Sequence, residues 1–155
     1  MDKKRTQEHA LQYLESLVGQ TLRYGLKSYD MNLYDFGFGD NIQFTDSLGR
    51  TRSANRHNLH VQCSFKVIHR VGSKGSKIYY GDTEKEEFES DIKNLIDLSV
   101  KRVALSDKND LWLDFEEYWV VIVTNEDTEE SWRYFIMGKE NPHLVAADSW
   151  LEFVW

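Results

Sequence analysis

Leu59-His60-Val61-Gln62-Cys63-Ser64-Phe65-Lys66-Val67-Ile68-His69-Arg70 alternates from its first residue. Leu59, Val61, Cys63, Phe65 and Val67 share one face; His60, Gln62, Ser64, Lys66 and Arg70 share the other, and Ile68 breaks the pattern. Successive side chains of a strand point to opposite faces, so this is a half-buried antiparallel strand with one face on a core and one in water. Such a strand needs partners, and its flanks supply them. Upstream, Leu22, Tyr24 and Leu26 alternate with Arg23, Gly25 and Lys27, and residues 31–38 and 41–46 read as two further strands before a loop over 47–58. Downstream, a turn around 72–75 leads to a short strand over 77–80.

Helical spacing takes over on either side of this block. Ala10, Leu14, Leu17 and Val18, flanked by Leu11 and Tyr13, predict a helix over 6–18 that stops at Gly19. Thr83-Glu84-Lys85-Glu86, with Asp82 just ahead, fits a capping box opening a second helix. That helix carries Phe88, Ile92, Leu95, Ile96 and Ser99 on one face and acids on the other. Strands over 100–105, 111–115, 118–124 and 131–137 follow, separated by turn-prone clusters at 106–110 and 125–130. A loop holding Pro142 precedes a last apolar piece over 150–155.

The two parts read as copies. Adding 79 to positions in the first gives the identities Arg23/Arg102, Leu26/Leu105, Asp35/Asp114, Phe36/Phe115 and Thr45/Thr124, with similar pairs such as Asp30/Asn109 between them. Chance gives about one or two identities over such a span. The expected fold is therefore α+β: a single domain over 1–155 built from two similar helix-plus-antiparallel-sheet halves, 6–80 and 83–155, related by a pseudo-twofold.

Several strings resemble a group of small bacterial proteins of unassigned function: Leu17-Val18-Gly19-Gln20, residues 31–37, Leu59-His60-Val61-Gln62-Cys63, Ser131-Trp132-Arg133-Tyr134-Phe135 and Pro142-His143-Leu144-Val145. The group's pattern has an aromatic and an arginine soon after the His-Val-Gln-Cys string, where Phe65 and Lys66 stand here. The resemblance implies a shared fold and no reaction. In composition the chain also resembles the immunity partners of bacterial toxins.

Charge is distributed unevenly. The net charge is −7, yet Arg50 to Lys77 holds seven bases and no acid, while Asp82 to Glu130 holds sixteen acids against five bases. Glu84, Glu87 and Asp91 fall on consecutive helical turns away from Phe88 and Ile92, and Glu126, Asp127, Glu129 and Glu130 form an acidic turn. A dense acidic patch steers association with a basic protein, so these seven residues are the candidate partner-binding set. The basic block (Arg50, Arg52, Arg56, Lys66, Arg70, Lys74, Lys77) is either a site or the intramolecular counterpart of the acids. Without interleaved aromatics it is not a nucleic-acid platform.

Catalytic patterns are missing. His57, His60 and Cys63 are metal-ligand types, but His60 and Cys63, three apart on a strand, diverge, so no metal and no cofactor is expected. Cys63 lies in the apolar register, where a thiol is inert. Gly37-Phe38-Gly39-Asp40 lacks a phosphate-loop lysine. Asp35 and Asp114, alternating with apolar residues, form the one candidate carboxylate pair for a cleft between the halves, the alternative site for an enzyme or small-molecule binder. A non-enzymatic protein-binding module is the preferred reading. No apolar segment follows Met1-Asp2-Lys3-Lys4-Arg5 and the single cysteine forms no internal disulfide, so a cytoplasmic location and no membrane partner are expected.

Overall fold

The structure, a computed structural model, describes residues 2–29, 32–70, 75–125, 129–138 and 140–155. It is an α+β fold of two antiparallel sheets and two short helices. Helix α1 (Lys3–Leu14) continues as a 3-10 turn (Glu15–Leu17), and the spacing read from the sequence buries Ala10, Leu14 and Leu17, whereas Val18, past the turn, is 42% exposed. Asp2 caps it by accepting the Arg5 N–H at 2.9 Å. Gly19, at φ 87°, lets the chain turn away. Helix α2 (Lys85–Asp91) and its 3-10 turn (Ile92–Asn94) bury Phe88, Ile92 and Leu95 in the same way. The capping box does not form. Glu84 is the N-cap without a side-chain bond, and the Thr83 hydroxyl instead accepts the Tyr80 N–H at 2.9 Å.

Among the described residues eleven strands follow in chain order: β1 (Leu22–Lys27), β2 (Tyr34–Thr45), β3 (Thr51–Val61), β4 (Phe65–His69), β5 (Ser76–Tyr79), β6 (Arg102–Leu105), β7 (Leu111–Asp114), β8 (Tyr118–Ile122), β9 (Trp132–Ile136), β10 (His143–Ala146) and β11 (Leu151–Val154). Three differ from the sequence reading. The two strands read at 31–38 and 41–46 are one, β2, because a bulge between Phe38 and Asn41, with Gly39 at φ 79°, absorbs the break. The loop read over 47–58 is mostly strand. Asp46 gathers the Leu48 and Arg50 N–H groups and the Arg50 and Arg52 side chains into a tight turn, and β3 starts at Thr51. The loop holding Pro142 contains β10, which the sequence reading missed. The turn expected around 72–75 falls largely outside the described residues, as does Asp30 of the repeat.

From Leu59 to Phe65 the opening stretch alternates in burial as read, with Leu59, Val61, Cys63 and Phe65 all buried, whereas Lys66, Val67, Ile68 and His69 are all half-buried. It is nevertheless two strands in two sheets. At Gln62–Ser64 the chain crosses between them, held by Gln62 N–H to Ser131 O (2.7 Å) and Val123 N–H to Ser64 O (3.2 Å). Sheet 1 has the order β1-β2-β3-β9-β10-β11 and sheet 2 the order β5-β4-β8-β7-β6. Neither half, 6–80 or 83–155, thus forms a sheet from its own strands alone. Three successive strands of each half are continued by strands of the other. Helix α2 packs on β1 and α1 on β6, again across the halves. One core joins everything. Phe36 and Phe65 meet at 5.6 Å between ring centroids, Phe38 stacks on Phe115 at 6.4 Å, and Tyr34 lies 4.7 Å from both Phe65 and Phe88. Among the described residues no helix is long and apolar enough to cross a membrane.

Candidate functional site

A groove of about 260 Å³ opens between α2, with its 3-10 turn, and the strands β4, β5 and β8. Alternation on β4 and β5 turns Val67 and Tyr79 toward it, and the helical face that buries Phe88, Ile92 and Leu95 forms its other wall. The floor is thus an extension of the aromatic core, with Phe65, Tyr79 and Phe88 rings 5.0 to 5.9 Å apart. At one end His69 stacks on Tyr118 at 4.5 Å.

The rim is ionic. Asp91 accepts bonds from Lys77 Nζ (2.6 Å) and the Tyr79 hydroxyl (2.7 Å), and Glu87 lies 3.6 Å from the same ammonium. Partial burial pushes the Asp91 pKa up, but the bonds from Lys77 and Tyr79 outweigh it and hold the carboxyl below its usual range. Burial first, and then donation to Asp91, raise the Tyr79 phenol. The rim thus sets the Asp91 and Glu87 side chains against the Lys77 ammonium.

The sequence-derived acids separate in space. Of the α2 acids, Asp91 lines the groove, Glu87 reaches its rim through Lys77, and Glu84 is exposed at the N-cap, whereas Glu130 is tied to Arg133 (2.8 Å) at the start of β9 in sheet 1. Glu129 has a partner of its own. Glu126 and Asp127 lie outside the described residues. Glu86 accepts the Tyr29 hydroxyl, and Glu89 pairs with Lys85. Two members of the basic block meet acids of the 82–130 segment, Arg70 at 3.8 Å from Asp114 and over the Trp119 ring and Lys77 on the helix acids, whereas Arg50 and Arg52 bind Asp46 outside that segment.

Asp35 and Asp114 sit in different sheets with different neighbours. Asp35 faces Leu26 and His60 in the ladder, 3.3 Å from His60 Nε2, and accepts the Tyr24 hydroxyl. Asp114 faces Arg102 and Trp119, and its Oδ1 accepts the Glu116 N–H at 2.7 Å, holding the β7–β8 turn. Between the sheets, the gap lined by Leu22, Phe36, Phe38 and Leu113 is about 10 Å³, room for about one water at most. His57 is buried with Nδ1 2.8 Å from the Tyr134 hydroxyl. Burial, with Asp110 adding to it, pushes the Cys63 thiol up to about 12. Among the described residues no three His, Cys, Asp or Glu side chains gather as a metal site requires.

Tyr79, His69 and Tyr118 are site residues that sequence reasoning did not single out, and Lys77 was named there only as a member of the basic block. Their only signal is the Lys-x-Tyr spacing of 77 and 79, which gains meaning once β5 lies beneath α2. No family model matches the chain, and neither a curated protein nor a solved structure matches it.

Proposed function

We propose that the chain is a cytoplasmic protein-binding module that docks a basic partner in the groove between α2 and β5, in its most concrete form an immunity-type partner of a basic toxin. One observation carries the reading: an aromatic-floored groove of about 260 Å³ whose rim acids outnumber its bases, set against a terminal strand. Apolar floors supply affinity and charged rims supply rate and partner choice. A second reading, a small-molecule binder or enzyme in the same groove, draws on the His69–Tyr118 stack beside Asn94. Its volume lies below the usual range of about 300–1,000 Å³.

The fold belongs to the same proposal, as a duplicated unit with exchanged strands about a pseudo-twofold. Several pairings support it. The buried triplets Ala10, Leu14, Leu17 and Phe88, Ile92, Leu95 correspond at an offset of 78, as do the positive-φ residues Gly19 and Asp97. Thr21 and Ser99, at the same offset, bridge each other, and β1-β2-β3-β9-β10 repeats the order β6-β7-β8-β4-β5. In this arrangement the groove is the cleft between halves, formed by β4 and β5 of one and by α2 and β8 of the other.

The test is capture from the native cell by the tagged full chain, compared with the variant Glu84→Gln/Glu87→Gln. Gln keeps the side-chain shape, and it avoids placing lysine in the first turn, where it would oppose the helix dipole. The expected result is a basic protein whose recovery falls with added salt and drops with the variant. Equal recovery of that protein by both chains overturns the reading.

A further inference from the structure

Sheet 1 and sheet 2 differ by one strand. On sheet 1, β11 covers the outer side of β10 through the pairs His143↔Val154 to Ala146↔Leu151, and its Phe153 ring lies 5.6 Å from Tyr13 of α1. On sheet 2 the strand in the place of β10 is β5, and β5 is terminal. Backbone groups of an antiparallel strand alternate in direction. The Gly75 carbonyl accepts the His69 N–H, so residues 75, 77 and 79 bond toward β4, while Ser76 and Ile78 turn their N–H and C=O outward. The next outward N–H, that of Tyr80, is held by Thr83. Among the described residues, Ser76 and Ile78 thus bound a short open edge, with Ile78 44% exposed.

The helix beside this edge specifies what fits there. At the offset of 78, Asp91 stands where Tyr13 stands. Phe153 of β11 meets an aromatic ring; a strand added to β5 meets the Asp91 carboxylate, with Glu87 one turn away. We infer that β5 receives an extended segment of a partner protein as a sixth strand, with Lys or Arg at the alternate positions facing α2. The inference rests on the groove being a protein-docking surface. Main-chain bonds to Ser76 and Ile78 supply affinity, and alternate side chains supply specificity. Aliphatic stems of Lys or Arg lie along the apolar floor while their heads reach Glu87 and Asp91.

The probe is the synthetic peptide Thr-Lys-Val-Arg-Val-Lys-Thr with blocked ends, added to the full chain, with a control carrying Glu at the three basic positions. Hydrogen exchange of the Ser76 and Ile78 amides should slow on addition of the probe and not of the control. Ile78→Pro removes one outward N–H from an edge strand, where proline is tolerated, and should weaken probe binding by about tenfold or more. Glu84→Gln/Glu87→Gln should weaken it about fivefold. If the charge variant weakens binding while Ile78→Pro and the two amides are unaffected, strand addition is overturned and the groove reading stands. Failure of the probe to bind, or equal binding of the control, overturns the inference. Equal binding by the charge variant overturns the groove reading with it. Should Ile78→Pro fail to fold, the amide exchange of the unaltered chain decides alone. A chain that is dimeric by sedimentation and monomeric on Ile78→Pro makes a second copy the occupant, which also overturns the inference.

Discussion

His57 is 4% exposed and shares the Tyr134 hydroxyl with Ser16, whose own hydroxyl donates to the Tyr13 carbonyl at 2.6 Å. With Ser16 donating there, Tyr134 donates to Ser16, and His57 donates from Nδ1 to Tyr134. Burial, and then the neighbouring Arg56, lower the His57 pKa, and His143 is lowered by burial and by Arg133. Both rings are therefore harder to protonate folded than unfolded. Their contribution to stability is complete above the unfolded value near 6.5 and is lost as pH falls through the lower folded values. Thermal melts should show a falling melting temperature below about pH 6.5, with a shallower fall in His57→Gln. A slope identical in that variant would remove His57 from the account. Tyr134→Phe leaves a buried imidazole N–H without its acceptor and should cost roughly 1–3 kcal/mol in urea unfolding. The sequence showed His57 only as a metal-ligand type three residues from His60; its buried role depends on β9 lying beside β3.

Among the elements, the short helix α2 depends on a position with no side chain. A Cβ on Gly25 of β1 would come within 2.8 Å of Ile92 Cγ1 and 3.3 Å of Phe88 Cζ. The helix lies directly on the strand backbone there. Gly25→Ala should lower stability by roughly 1–3 kcal/mol through overpacking, read by denaturant unfolding. It should also weaken binding in the groove, because α2 is one of its walls. An unchanged midpoint would mean the helix shifts freely. Local elements were legible where period and punctuation agreed, as in α1 with its buried triplet and the Gly19 stop. They were misread where a tertiary contact overrode a local cue. Thr83 serves the end of β5 rather than α2, Gly39 carries a bulge rather than a break, and His143-Leu144-Val145-Ala146 is a strand because β9 and β11 flank it.

Over the whole molecule, each sheet is completed by strands from the other part of the chain, so neither part holds a finished sheet. Residues 1–80 alone lack β9 and β10 to cover β3, and residues 82–155 alone lack β4 and β5 to cover β8. An unpaired strand beside an incomplete core is costly. Each fragment should give the circular dichroism and narrow amide spectrum of an unfolded chain, and mixing the two should restore the native spectrum. A fragment that folds alone would show that its sheet does not need the exchange.

The alternation of 59–70, the helical spacing of Ala10, Leu14 and Leu17, and the charge blocks are local in sequence, and they determined the α+β class, the buried faces and the acidic helix surface. Side-chain period reports which face is apolar and nothing about which strand lies alongside. That is why 59–70 reads as one strand although Gln62–Ser64 carries it from one sheet to the other, and why the 79-residue offset equates Asp35 with Asp114 although their ladder partners differ. Tertiary structure alone decided which strands complete each sheet, the pairing of Lys77 with Asp91 and Glu87, and the place of β5 at the end of its sheet among the described residues. Each depends on contacts between residues distant in sequence, set when the two sheets close on one core.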